Sequence, residues 1–103
     1  MTSLHSDSIK KRWGTLTLCE QMGNIGSEVG RSISSKDKES ARDRALELFD
    51  FTITDSRWSG PRRKEIARAR ENYAESLAKK DVDSLSGLNK YFYHFALAAR
   101  INK

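Results

Sequence analysis

Residues 20–31 read EQMGNIGSEVGR, and the fold turns on how Gly23, Gly26 and Gly30 are taken. Each glycine costs a helix interior about 1 kcal/mol relative to alanine. The stretch is therefore a phosphate-cradling loop, a broken helix, or a surface where another backbone must come close. The surrounding apolar residues discriminate among these. Leu18, Met22, Ile25, Val29 and Ile33 follow one another at spacings of four, three, four and four, which at 100° per residue form one narrow stripe. That period runs unbroken through all three glycines, so the segment is read as a helix. The glycines, with Ser27 and Ser34, fall in a strip beside the stripe. They leave room for a close neighbour, a backbone or a bulky aromatic such as Phe92 or Phe95 of the last helix, read first as belonging to the same chain, with another subunit as the alternative.

Upstream, Thr17-Leu18-Cys19-Glu20 is a capping-box sequence, in which the threonine hydroxyl and the glutamate carboxylate each satisfy a free amide. The first helix is thus expected from Thr17 to about Ser34 or Ser35. Downstream, a second helix is expected over Lys36–Ile53. Ser35 is its candidate cap, Ala41, Ala45, Leu48, Phe49 and Thr52 its inward stripe, and a mixed-charge outer face is solvated. Thr54–Gly60 reads as a connector, and Pro61 suits a first helical position. A third helix then runs to about Lys80 with Ile66, Ala69, Tyr73 and Leu77 inward and Arg70 at their edge. Asp81–Gly87 reads as the last connector.

The fourth helix, from about Leu88 to Ile101, is apolar on two sides. Leu88, Phe92, Phe95 and Ala99 form one face, and Tyr93, Leu97 and Ile101 another. Either a partner chain covers the second face, making Tyr93, Leu97 and Ile101 an oligomer interface, or the helix is covered within one chain. No alternating β-branched run appears. The expected fold is all-α, an antiparallel up-down four-helix bundle over residues 17–103, preceded by a flexible basic arm over residues 1–16.

The chain has 103 residues and a net charge of +5, and the distribution of that charge is uneven. Residues 56–80 hold eight basic against three acidic groups, whereas residues 17–55 hold five against eight. No run approaches the roughly eighteen apolar residues of a membrane span, and the N-terminus has no apolar signal core. Cys19 is the single cysteine, which excludes an intrachain disulfide and suits a reducing, cytoplasmic setting. Cys19 is read as a buried, inert thiol, and His94 as structural or surface. With His5, they offer no metal-ligand spacing, and no cofactor is implied. Gly23-Asn24-Ile25-Gly26 matches G-x-x-G, but a KH loop needs strands, and no Walker lysine follows. No catalytic constellation is present, so the chain is not read as an enzyme.

The segment RWSGPRRKEIARAR, residues 57–70, is the sharper feature. Arg62, Arg63 and Lys64 fall on a helix's first turn, where the macrodipole disfavours cations. A local rule broken by a cluster points to a function that needs the charge. Arg57 and Arg68 extend the cluster, arginine suits bidentate phosphate contact, and Trp58 is placed to stack on an unpaired base. Lys10, Lys11 and Arg12, followed by Trp13, repeat the recipe. Nucleic-acid binding, RNA especially, is the leading reading. Against it stands a plain solvated face, with both tryptophans covering the bundle ends.

The segments TLTLCEQMGNIGSEVGRSI, ALELFDFTI and LNKYFYHFALAARIN together cover about half the chain. In architecture and character the chain resembles the small four-helix proteins encoded in intervening sequences of 23S ribosomal RNA genes. It is similar also to the accessory variability determinant proteins of diversity-generating retroelements. The resemblance implies a homopentameric ring with a positive surface that binds RNA and a reverse transcriptase. It implies no defined site residue. The competing expectation is a helical protein-interaction module that docks through the Tyr93 face and binds no nucleic acid.

Overall fold

The computed structural model describes residues 7–34, 36 and 38–101. They form five α-helices and, among the described residues, no strand. These are α1 (Asp7–Trp13), α2 (Leu18–Ser34), α3 (Lys38–Ile53), α4 (Pro61–Lys79) and α5 (Val82–Ile101). α2 lies against both α3 and α5, and α4 touches the same two from the other side, so the four longer helices surround one core. α1 packs on α3.

Local signals account for most boundaries. The Thr17 amide donates to Glu20 Oε1 at 2.9 Å and the Glu20 amide to Thr17 Oγ1 at 3.1 Å, the reciprocal capping box expected at the start of α2. Pro61 opens α4, where its missing N–H is no loss. The candidate cap Ser35 lies outside the described residues, and α3 starts at Lys38 rather than Lys36.

Two segments depart from the expectation. Residues 1–16 were expected as an arm outside the fold, yet residues 7–13 are helical and Trp13 is buried, donating its indole N–H to Thr52 Oγ1 at 2.9 Å. Burying an indole with its N–H satisfied is a strong anchor for so short a helix. The connector expected over 81–87 shrinks to the Lys80–Asp81 junction. Lys80 adopts a left-handed conformation (φ 53°), and the Asp81 amide bonds back to Ser76 O at 2.9 Å, closing α4 in a Schellman turn. Asp81 then caps α5, accepting from the Ser84 amide at 3.1 Å and the Ser84 hydroxyl at 2.9 Å. The Ser-Gly composition of 84–87 suggested a loop, but this cap and the buried Leu85 start the helix earlier.

In the core, Phe49 packs edge-on to Phe92 (5.6 Å between centroids) and beside Tyr73 (6.1 Å). The Tyr73 hydroxyl reaches Ser32 Oγ of α2 at 2.6 Å, and burial raises its pKa. The glycine strip of α2 faces α5 of the same chain. A Cβ at Gly26 would stand 2.5 Å from Phe92 Cβ, and one at Gly23 would stand 3.2 Å from Ala96 Cα. EQMGNIGSEVGR is therefore a packing surface on which Phe92 rests.

Candidate nucleic-acid interface

The end of the molecule that carries the basic segments is organised around a buried glutamine. Gln21 has no exposed surface, so its amide must find its partners within the protein. Its Nε2 donates to the Trp13 carbonyl at 2.8 Å and to Asp55 Oδ2 at 3.1 Å, and its Oε1 accepts the Trp58 indole N–H at 2.8 Å. One side chain of α2 thereby ties the end of α1 to the loop before α4. Asp55 in turn accepts from the Arg57 amide at 3.0 Å and the Arg57 guanidinium at 2.8 Å. The Arg57 hydrogen bond holds the Asp55 carboxyl down at a pKa of about 2. Arg57 also lies over the Trp58 ring, 4.6 Å from its centroid.

Both tryptophans are thus structural members of the fold. Trp58, read from the sequence either as placed to stack on a base or as a cover for the bundle end, is half-buried against the core with its N–H bonded and a guanidinium on its ring. The Trp13 indole is buried. Gln21 escaped the sequence reading because a lone polar residue flanking an apolar stripe looks like surface. The available signal was its spacing of four from Ile25 and eleven from Ser32, a second buried polar residue on the same flank.

The cations distribute as follows. Lys10 sits over the Phe51 ring at 5.7 Å, and Lys10 and Arg57 line one cleft of about 400 Å³ with Phe51 and Asp55. The structure thus brings together one residue from each basic segment. Lys11 and Arg12 are exposed in the last turn of α1, where the dipole favours cations. Arg12 borders a different cleft with Glu28 and Arg31. Five residues beyond Arg57, Arg62 pairs loosely with Glu65 at 3.6 Å, and the Tyr91 hydroxyl donates to the same Glu65 at 2.8 Å. Arg63, Lys64 and Arg68 are exposed, and among the described residues none of the three has a carboxylate partner. At 100° per residue Arg62, Arg63 and Lys64 fan around the helix end rather than lining one face.

The N-terminus of α4 is itself bare. Gly60 stands at φ 61°, a conformation open to glycine, and gives no side-chain cap. The first intrahelical bond runs from the Lys64 amide to Gly60 O, so the Arg62 and Arg63 amides precede it. Arg70, by contrast, is structural, with its Nε 2.9 Å from Asp50 Oδ1 on α3.

Comparison with protein-family models, with curated proteins and with solved structures finds no match. Among the described residues no helix is long and apolar enough to cross a membrane, and no cluster of His, Cys, Asp or Glu is placed to hold a metal ion. Cys19, expected to be buried, is half-buried. On α5 Tyr93 is 55% and Ile101 78% exposed, and Leu97 is half-buried. Tyr93 lines a groove between α2 and α5 with Gly26, Gly30, Arg31 and Arg100.

Proposed function

We propose that this protein is a non-enzymatic RNA-binding accessory protein that contacts phosphates through the end bearing the first turn of α4. The observation that carries the reading is Arg63 and Lys64, beside Arg62, on an uncapped helix N-terminus with no carboxylate to neutralise them among the described residues. Stability favours acids at that position, and the exposed amides add to the attraction for an anion. Lys10 and Arg57 at the shared cleft, with Lys11, Arg12 and Arg68, widen the positive surface. The finer features belong to the same proposal through the resemblance described above. They are an up-down four-helix bundle to which α1 is added, homo-oligomeric assembly (a pentamer in that family), a reverse transcriptase as protein partner, and a cytoplasmic setting.

A gel-shift assay with the joint substitution Arg62→Glu, Arg63→Glu and Lys64→Glu tests the reading. Affinity for RNA is expected to fall at least about tenfold, since every phosphate that no longer meets a cation keeps its condensed counterions. Unchanged affinity refutes it.

The exposure of Tyr93 and Ile101 favours a second reading, a protein-interaction module docking through Tyr93, Leu97 and Ile101. Association with a protein partner, with no RNA affinity at low salt, would select it. A strict monomer by light scattering would remove the oligomer interface from either reading.

A further inference from the structure

Proteins that hold single strands combine a positive groove with open aromatic faces on which splayed bases stack. At the basic end of this protein the aromatic residues are engaged within the fold. The Trp13 indole is buried and bonded to Thr52. Trp58 gives its N–H to Gln21 and carries Arg57 on its ring. The Phe51 ring lies under Lys10. Tyr91, joined to the start of α4 through Glu65, is held edge-on by Phe92 and Phe95 at 5.3 and 5.2 Å. Tyr93, the exposed aromatic, lies about 160° round α5 from Tyr91 and lines the α2–α5 groove instead.

What this end presents outward is charge. Arg63, Lys64 and Arg68 are exposed without carboxylate partners among the described residues. Lys64 and Arg68, four residues apart on one helix, stand about 5–6 Å from each other at Cβ. Arg57 spends its Nε and one terminal nitrogen on Asp55, and its second terminal nitrogen is left to donate elsewhere. A surface that reads charge alone binds best where charge is densest. Duplex DNA carries one negative charge per about 1.7 Å of axis, and phosphate contacts release more counterion from a duplex than from a single strand.

We infer that the ligand of the basic end is a double-stranded nucleic-acid backbone, contacted at its phosphates without base stacking. This rests on the phosphate-binding reading above and specifies its substrate class. If Arg62, Arg63, Lys64 and Arg68 each meet one phosphate, log affinity for a duplex falls with log salt at a slope of about −3.6, against about −2.8 for a single strand. Between about 50 and 200 mM salt, duplex affinity then drops about 150-fold.

The test measures binding of the full chain to one sequence of about twenty nucleotides, presented as single-stranded RNA, as RNA duplex and as DNA duplex. Salt titration and tryptophan fluorescence are followed in each arm. The expected result is tighter binding of duplex than of single strand, a slope near −3.6, and tryptophan emission unchanged on binding. Preference for RNA duplex over DNA duplex would place the 2′-hydroxyls or A-form shape in the contact, and equal affinity would leave phosphates alone. Either outcome sustains the inference. Single-stranded RNA binding as tightly as duplex, with tryptophan quenching, overturns the inference and leaves the phosphate-binding reading intact. No binding of any form at about 50 mM salt overturns both.

Discussion

Gly26→Ala is the most direct probe of the contact that builds this fold. In a solvent-exposed helix the change would stabilise the protein by about 1 kcal/mol, from propensity alone. Here the new methyl would stand 2.5 Å from Phe92 Cβ. Phe92 is 1% exposed and packed against Phe49 and Tyr91, so it has little space to retreat into. Overpacking of this kind costs about 1–3 kcal/mol, and at such a separation the upper part of that range applies. The net loss is about 1–2 kcal/mol, which lowers the melting temperature of a domain this size by about 5–15 °C. The other glycines supply internal controls. At Gly23 the nearest atom is the Ala96 Cα, 3.2 Å away, and the propensity gain and crowding should nearly cancel. At Gly30 a Cβ meets the Asn89 side chain at an ordinary 3.4 Å, and at Gly87 it meets nothing within 4 Å. Both should stabilise by about 0.5–1 kcal/mol. Urea denaturation followed by far-ultraviolet circular dichroism measures all four. Gly26→Ala proving as stabilising as Gly87→Ala would refute the close approach of α2 and α5.

Further perturbations test the rest of the structure. Gln21→Leu leaves the Trp13 carbonyl and the Trp58 N–H without their partner, and chemical denaturation should show a loss of about 2–3 kcal/mol. An unchanged midpoint would mean that Gln21 does not join α1 to the loop. The Asp55 carboxyl, lowered from 3.8 to about 2 by Arg57, contributes stability that is complete above about pH 4 and lost as pH falls through 2. Asp55→Asn should accordingly cost about 1–2 kcal/mol at pH 7, with the difference shrinking as pH falls through about 2 and vanishing below it, and a constant difference across that window would contradict the assignment. Lys80→Gly relieves a left-handed lysine (φ 53°) and should raise the unfolding free energy by about 1 kcal/mol, read as a higher denaturation midpoint. Arg63→Glu with Lys64→Glu replaces cations by acids at a helix N-terminus, and thermal stability should rise by about 0.5–1 kcal/mol at low salt while RNA affinity falls. A fall in both stability and affinity would indicate that these residues serve the fold.

Much of the architecture was legible because it is written in short-range patterns. The inward stripe of α3, Ala41, Ala45, Leu48, Phe49 and Thr52, is buried as its spacing indicates. The Thr17–Glu20 box and Pro61 start helices where they should, and the unbroken period of α2 left Phe92 or Phe95 as candidate neighbours of its glycines, of which Phe92 is the one against Gly26. The early start of α5 was hidden because its cap lies in a serine- and glycine-rich stretch. The cationic residues of the candidate interface were equally visible as a composition. The condition of the tryptophans beside them was not.

The sequence by itself determined the helical class, three of the four expected helix starts to within two residues, and the uneven placement of charge. These follow from caps, periodicity and composition over spans of a few residues. Tertiary structure decided that Trp13 folds back on Thr52, 39 residues away, and that Trp58 meets Gln21 across 37. An indole beside arginines has the same local appearance whether it faces a base or a buried glutamine. Only the packing of α1, α2 and the 54–60 loop places a satisfied partner within 3 Å of each N–H, and so buries Trp13, ties the half-buried Trp58 into the fold and leaves the cations at the surface.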